Sequence, residues 1–238
     1  MQFGIFTVGD ITTDPATSKA PSEHQRIKNT VEMAVLAEQA GLDFFATGEH
    51  HNPPFAPSSP TTLLANIAAR TDKLLLTTAT TLITTNDPVR LAEEYAYLQH
   101  LSDGRVDLMM GRGNTGPVYP WFGKDIRKGI SLAVENYDLL RRLWRETNVD
   151  WEGEFRTALQ DFTSMPRPLD GVPPWEVARA EAAARVCLTA EDAHVFHTSV
   201  LENLRVARGD VTPAEASELL VRAGLGDWLE ALPDGVDT

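Results

Sequence analysis

Three short stretches carry the side chains best suited to chemistry: "GEHHNPP" (48–54), "ATTLITT" (79–85) and "GRGNTG" (111–116). In the first, the imidazole of His50 can take or give a proton near neutral pH. Glu49, His50 and His51 together invite a metal reading. Adjacent residues on a strand point to opposite faces, however, so the two histidines do not grip one ion, and no metal is expected. For His51 the simpler reading is a polar strand end satisfied by local hydrogen bonds. In the third stretch Arg112 lies between Gly111 and Gly113. Flanking glycines let a backbone approach a ligand closely, and a guanidinium grips phosphate bidentately. Pairing of Arg112 with a loop carboxylate is the competing reading.

The elements that must position these residues alternate. "FGIFTV" (3–8), "DFFATGEH" (43–50), "LLLTTATTLI" (74–83) and "RVDLMMG" (105–111) read as buried strands. Helices fall between them. The first begins at "PSEHQ", where Ser22 and Gln25 form a capping-box pattern, carries Ile27, Val31, Ala34 and Val35 on one face, and stops at Gly41. The second spans about 60–70 behind Pro60. The third opens on Asp87 and Pro88 with a Leu91, Tyr95, Leu98 stripe. A fourth covers 129–146, with Ile130, Ala133, Val134, Tyr137 and Leu140 expected inward, and "GVPPWEV" (171–177) starts a candidate fifth strand.

Such alternation means a parallel sheet with covering helices, either half of an eight-fold barrel or an open doubly wound sheet. No glycine-rich dinucleotide turn follows the first strand, which favours the barrel. In a barrel the active site lies at the C-terminal strand ends, where the three stretches sit.

The chain has 238 residues, 42% of them hydrophobic, and a net charge of −13. An acidic chain repels phosphate backbones, so no nucleic acid is expected. A single cysteine, Cys187, excludes a disulfide framework and fits a reducing cytoplasm. The opening "MQFGIFTVGD" has no signal-peptide pattern, and no stretch approaches the ~20 apolar residues of a membrane span, so no membrane insertion is expected.

These motifs, in this order, resemble the bacterial luciferase-like family of flavin-dependent monooxygenases. The resemblance is carried by "MQFGIFTV", "AEQAGLDFFATGEHHNPP", the run from "TATTLITTNDPVR" to "GRGNTGPVYPWFG", and "WEGEFRTALQDFTSMPRPLDGVPP", spanning residues 1 to about 175. It implies an eight-stranded α/β barrel. The implied chemistry is oxidation of a small organic substrate with reduced flavin and dioxygen, the flavin often coming from a separate NAD(P)H-dependent reductase. Carried over by position, it implies His50 as the catalytic histidine and Arg112 as the flavin-phosphate arginine. It implies a non-proline cis peptide at Ala79–Thr80 under the flavin ring. Glu49, Gly113 and Asn114 join them as cofactor-binding residues. FMN and a deazaflavin are not separated.

After "GVPP" the pattern changes. Residues 175–186 read as helix or linker, and 198–231 as short helices, one capped by Thr212 and Pro213. Residues 185–238 resemble an internal fragment of an ABC-transporter ATPase of the thiol-reductant exporter type, with Glu191 at the Q-loop position. This tail has neither the phosphate-binding loop nor the signature motif of such an ATPase. The fold expected is therefore α/β, the first half of a TIM-like (β/α)8 barrel over 1–177, followed by a mainly helical ATPase-like tail over 178–238. Half a barrel leaves two strand edges open, so an aggregation-prone or homodimerising chain is expected.

Overall fold

The computed structural model describes residues 2–174, 199–205, 211–222 and 225–238. The chain divides into two compact units, with the boundary between 187 and 188.

The first unit is built on four strands: β1 (Gly4–Thr7), β2 (Phe44–Thr47), β3 (Leu75–Leu82) and β4 (Met109–Gly111). They pair in parallel in sequence order, β1-β2-β3-β4. Ile5, Phe45 and Leu76 stand in register across three strands and enter the core between sheet and helices. The covering helices are α1 (Glu23–Gln39), α2 (Pro60–Ala68), α3 (Pro88–Leu101), the single turn α4 (Val118–Trp121) and α5 (Gly129–Arg145).

The helix starts obey the local chemistry. Ser22 accepts from Gln25 N (3.1 Å), but the Gln25 amide turns to Asn29 instead of closing the capping box. Asp87 accepts from Val89 N at 2.8 Å, and Pro60 and Pro88 occupy first turns. The expected α3 stripe of Leu91, Tyr95 and Leu98 is buried.

Two expected faces are corrected. On α1 the buried residues are Thr30, Val31, Ala34 and Ala37, while Ile27 is exposed. On α5, Leu132, Leu139, Leu140 and Leu143 go inward, whereas Ile130 and Val134 remain 69% and 57% exposed. Helix α5 is apolar over more than one stripe, and packing against α3, not periodicity, selects the buried one.

A hairpin that the sequence reading missed joins β5 (Val149–Trp151) to β6 (Leu159–Phe162), antiparallel. These strands are three and four residues long and rich in acidic and amide side chains, so they lack an alternation signal. The expected fifth strand is not formed where it is described: Leu169–Gly171 is a 3-10 turn, and residues 172–174 carry no strand. The rest of that candidate, Cys187, Glu191 and the 175–186 segment lie outside the described residues. In the second unit α6 (Val200–Arg205), α7 (Pro213–Arg222) and α8 (Gly226–Glu230) are short helices, as expected. Thr212 and Glu215 cap α7 reciprocally.

Near the end of α1, the Glu38 carboxylate accepts from three successive backbone N–H groups, Asp72, Lys73 and Leu74, at 2.7–3.1 Å. Burial pushes its pKa up, but the three N–H groups and Arg105 outweigh it and hold it below 4.5. Depression means that this stability is present above the unfolded value and lost as pH falls through the folded one. Glu38→Gln is expected to cost about 1–2 kcal/mol at neutral pH and to flatten the acid limb of a stability-against-pH curve. Parallel acid limbs for the two proteins in urea titrations would count against this.

Candidate active site

The sheet ends its strands where the three chemical stretches begin. β2 stops at Thr47, so residues 48–52 are already loop. The alternation argument therefore does not apply to the two histidines, and both line one cavity of about 160 Å³. Ala79 and Thr80 from β3, and Gly113 and Asn114 from the loop after β4, line it too. The Ala79–Thr80 peptide is cis, at the place where the β3–β4 register shifts.

His50 is half-buried, its ring stacked on Phe55 with centroids 4.1 Å apart. Burial, then the neighbouring His51, lowers its pKa from 6.5 against the opposing pull of Glu49. The shift favours the neutral imidazole. His51 Nε2 lies 2.9 Å from Glu49 Oε1, and its ring meets Phe122 edge-on at 4.7 Å.

Glu49 is the buried hub of the site. Beyond His51, it accepts from Leu82 N (2.8 Å) and from Asn86 Nδ2 (2.8 Å). The same Asn86 amide also donates to Leu82 O. One carboxylate thereby ties the loop after β2 to the end of β3. Thr78 and Thr81 extend the polar network inside the sheet. Thr78 donates to Met109 O at 2.9 Å, and Thr81 bonds both Thr78 and the buried Tyr95 hydroxyl.

The glycine loop comes close to β3. A Cβ on Gly111 would meet Thr80 Oγ1 at 2.5 Å, and Gly113 has φ +69°. Thr84 and Tyr119 donate to the Arg112 carbonyl, which fixes the loop backbone. The Arg112 side chain is exposed and has no carboxylate partner among the described residues. It does not line the His50 cavity. It lies in a neighbouring groove of about 540 Å³ between β4 and α5. The site residues read from sequence are therefore gathered in one cavity except for Arg112, which stands across the Gly111–Gly113 turn from it.

Sequence reading missed Asn86 and Tyr119, and did not single out Thr85 within the stretch 79–85. Tyr119 is a polar aromatic in a Gly/Pro-rich loop, a weak signal; Asn86 has none. Among the described residues, Thr85 Oγ1 and Asn52 Oδ1 are buried without a hydrogen-bond partner, and both residues line the cavity. Unsatisfied buried polar atoms are costly, so they mark where a polar ligand edge fits. No three His, Cys, Asp or Glu side chains gather to hold a metal ion among the described residues. No described helix is long and apolar enough to cross a membrane.

Comparison with known proteins places this geometry. A model of the luciferase-like monooxygenase family matches residues 1–215. The match passes the point near 175 where recognisable motifs end and runs into residues 185–215, where an ATPase fragment was expected; that second resemblance is not shown. An F420-dependent glucose-6-phosphate dehydrogenase of Rhodococcus erythropolis is 30% identical over 189 residues, 74% of this chain and 55% of that protein. The oxygenase component of a flavin-dependent trigonelline monooxygenase from Acinetobacter baylyi is 29% identical over 185 residues, 75% of this chain and 49% of its own length. The crystal structure of monooxygenase RslO1 from Streptomyces bottropensis superposes with a TM-score of 0.64 at 31% identity, covering 73% of this chain and 51% of RslO1. The chain spans about half the length of the curated relatives it matches. The α/β fold of the first unit is of the barrel-like kind these proteins share.

Proposed function

Because the chain belongs to the luciferase-like monooxygenase family, we propose that its first unit carries the flavin-side residues of an oxidoreductase that acts on a small organic substrate with dioxygen. The observation that carries this reading is the convergence of His50, the cis Ala79–Thr80 peptide and the Gly113–Asn114 loop on one cavity, from three successive strand ends. FMN is the cofactor proposed; the F420 dependence of the R. erythropolis relative makes a deazaflavin the alternative. The A. baylyi relative is an oxygenase component, so a separate NAD(P)H-dependent reductase is the proposed source of reduced flavin.

Flavin, when bound, supplies the electron transfer that no side chain here can provide. The protein's part is binding, orientation and proton handling. Thr85 and Asn52 offer an unused hydroxyl and an unused carbonyl to a polar ring edge. Gly111 and Gly113 let backbone come close to a ligand. The neutral His50 imidazole can accept a proton at a ring nitrogen, and Glu49 holds His51 beside it. Arg112, with its guanidinium free among the described residues, is the proposed phosphate ligand.

Fluorescence titration tests the reading. FMN is expected to bind about 10- to 100-fold more tightly than riboflavin, the range set by one charge-assisted contact. Arg112→Ala is expected to erase the gap. Equal affinities for the two flavins, or an unchanged gap in the variant, would sink the assignment.

A further inference from the structure

His50 stands on a loop past the end of β2, so no strand register fixes its ring. Two other contacts do. One face of the imidazole is stacked on Phe55, with centroids 4.1 Å and planes 25° apart. Its Cδ2–Nε2 edge lies over Gly48: a Cβ there would stand 3.5 Å from both atoms and 3.6 Å from the Ala79 carbonyl oxygen. The edge that carries Nε2 is thereby brought beside the Ala79–Thr80 peptide.

Phe55 is itself firmly placed. Proline occupies three of the five positions 53–57, and each locks its own φ. The loop folds back on itself: His50 N donates to Pro57 O at 3.0 Å, and Phe55 N to Asn52 O at 3.2 Å. It is also stitched to the segment after β1. Ile11 N donates to Pro54 O at 2.8 Å and Ala56 N to Gly9 O at 3.1 Å, which makes an antiparallel bridge between Asp10 and Phe55. Gly9 allows this approach, because it has φ +61° and a Cβ there would meet Pro57 Cδ at 2.6 Å. The Asp10 carboxylate pairs with Arg26 Nη2 at 3.2 Å. The anchorage therefore runs from α1 through Asp10 to Phe55.

We propose that Phe55 is a positioning residue for His50: its ring holds the imidazole with the Nε2 edge toward the Ala79–Thr80 peptide. Phe55 does not line the cavity, so it acts through His50 alone. The terminal torsion of a histidine side chain is broad, and stacking of two rings biases it by about two- to tenfold. The value of this orientation to a reaction rests on the flavin reading given above. There, a proton acceptor has to stand within hydrogen-bond reach of its proton, and a misplacement of ~1 Å costs about 100-fold in rate.

Proton NMR of the full chain without flavin is the test. In the wild type, nuclear Overhauser contacts are expected from His50 Hδ2 to a Gly48 Hα, and from the imidazole to the Phe55 ring. The imidazole protons should be shifted upfield by the ring they face. Phe55→Leu keeps an apolar side chain but loses the flat face. It is expected to abolish the upfield shift and to weaken the Gly48 contact about two- to tenfold, with the Ile11 and Ala56 amide signals in place. Phe55→Tyr should restore both signatures. A wild type without the His50–Phe55 contact would overturn the proposal, and that outcome needs no variant to fold. So would a leucine variant that keeps the Gly48 contact at full strength. Displaced Ile11 and Ala56 amides in that variant would assign Phe55 to the fold of the loop and not to the ring, and would overturn it too. The flavin reading is judged separately, by the FMN and riboflavin titration: equal affinities there would remove the use made of His50 and leave these ring contacts unchanged.

Discussion

Replacing Glu49 with alanine is expected to cost about 3–5 kcal/mol, the range for stripping one partner from a buried charged cluster. The carboxylate is 2% exposed and serves Leu82 N, Asn86 Nδ2 and His51 at 2.8–2.9 Å. Its removal leaves the Leu82 amide and the Asn86 side chain without their acceptor in the interior, and unmade bonds there cost more than made ones gain. The cavity wall loosens with them, because Leu82 follows the Ala79–Thr80 peptide on the same strand. Flavin affinity should therefore fall together with stability. Glu49→Gln keeps one acceptor oxygen but presents an N–H to groups that are themselves donors, so it should recover only part of the loss. Urea unfolding with parallel FMN titration measures both effects. A cost below about 1 kcal/mol for Glu49→Ala would mean that the carboxylate does not hold the strand end.

The second large effect is expected at Trp144. Its side chain is 1% exposed, and its indole N–H donates to the Ala92 carbonyl at 2.9 Å, joining α5 to α3. Trp144→Ala removes the largest fully buried side chain among the described residues and should cost about 3–5 kcal/mol. Trp144→Phe keeps most of the volume and loses the hydrogen bond, so about 1–2 kcal/mol is expected. Against the 5–15 kcal/mol typical of a folded domain, the alanine variant stands close to unfolding. A denaturation midpoint shared by wild type and Trp144→Ala would show that α5 is not anchored there.

What could be read from sequence divides along physical lines. Helix starts were legible because their causes are local: Ser22, Asp87, Pro60 and Pro88 act within one turn of themselves. The four parallel strands were legible because they are largely apolar or β-branched. The cis peptide at Ala79–Thr80 came from family resemblance, since nothing in its two side chains announces it. Which α5 stripe turns inward was not legible, because Ile130 and Val134 look as apolar as Leu139 and Leu143, and the choice is made by α3. Glu49 shows the same limit. Its donors stand 33 and 37 residues away in sequence, beyond any spacing rule. The expectation that only one of His50 and His51 could face the pocket failed because β2 ends three residues before His50, and parity holds only inside a strand.

The strand order has a consequence for how the protein is made. In the four-stranded sheet each strand after β1 pairs with the one before it, and successive strands begin 31–40 residues apart, at 4, 44, 75 and 109. A ribosome adding ~5–20 residues per second delivers one strand every 2–8 seconds or so. Every strand of that sheet after β1 therefore finds a neighbour already synthesised when it emerges. The nascent chain grows by accretion at one moving edge, with α1, α2 and α3 arriving in turn to roof the strands just laid down.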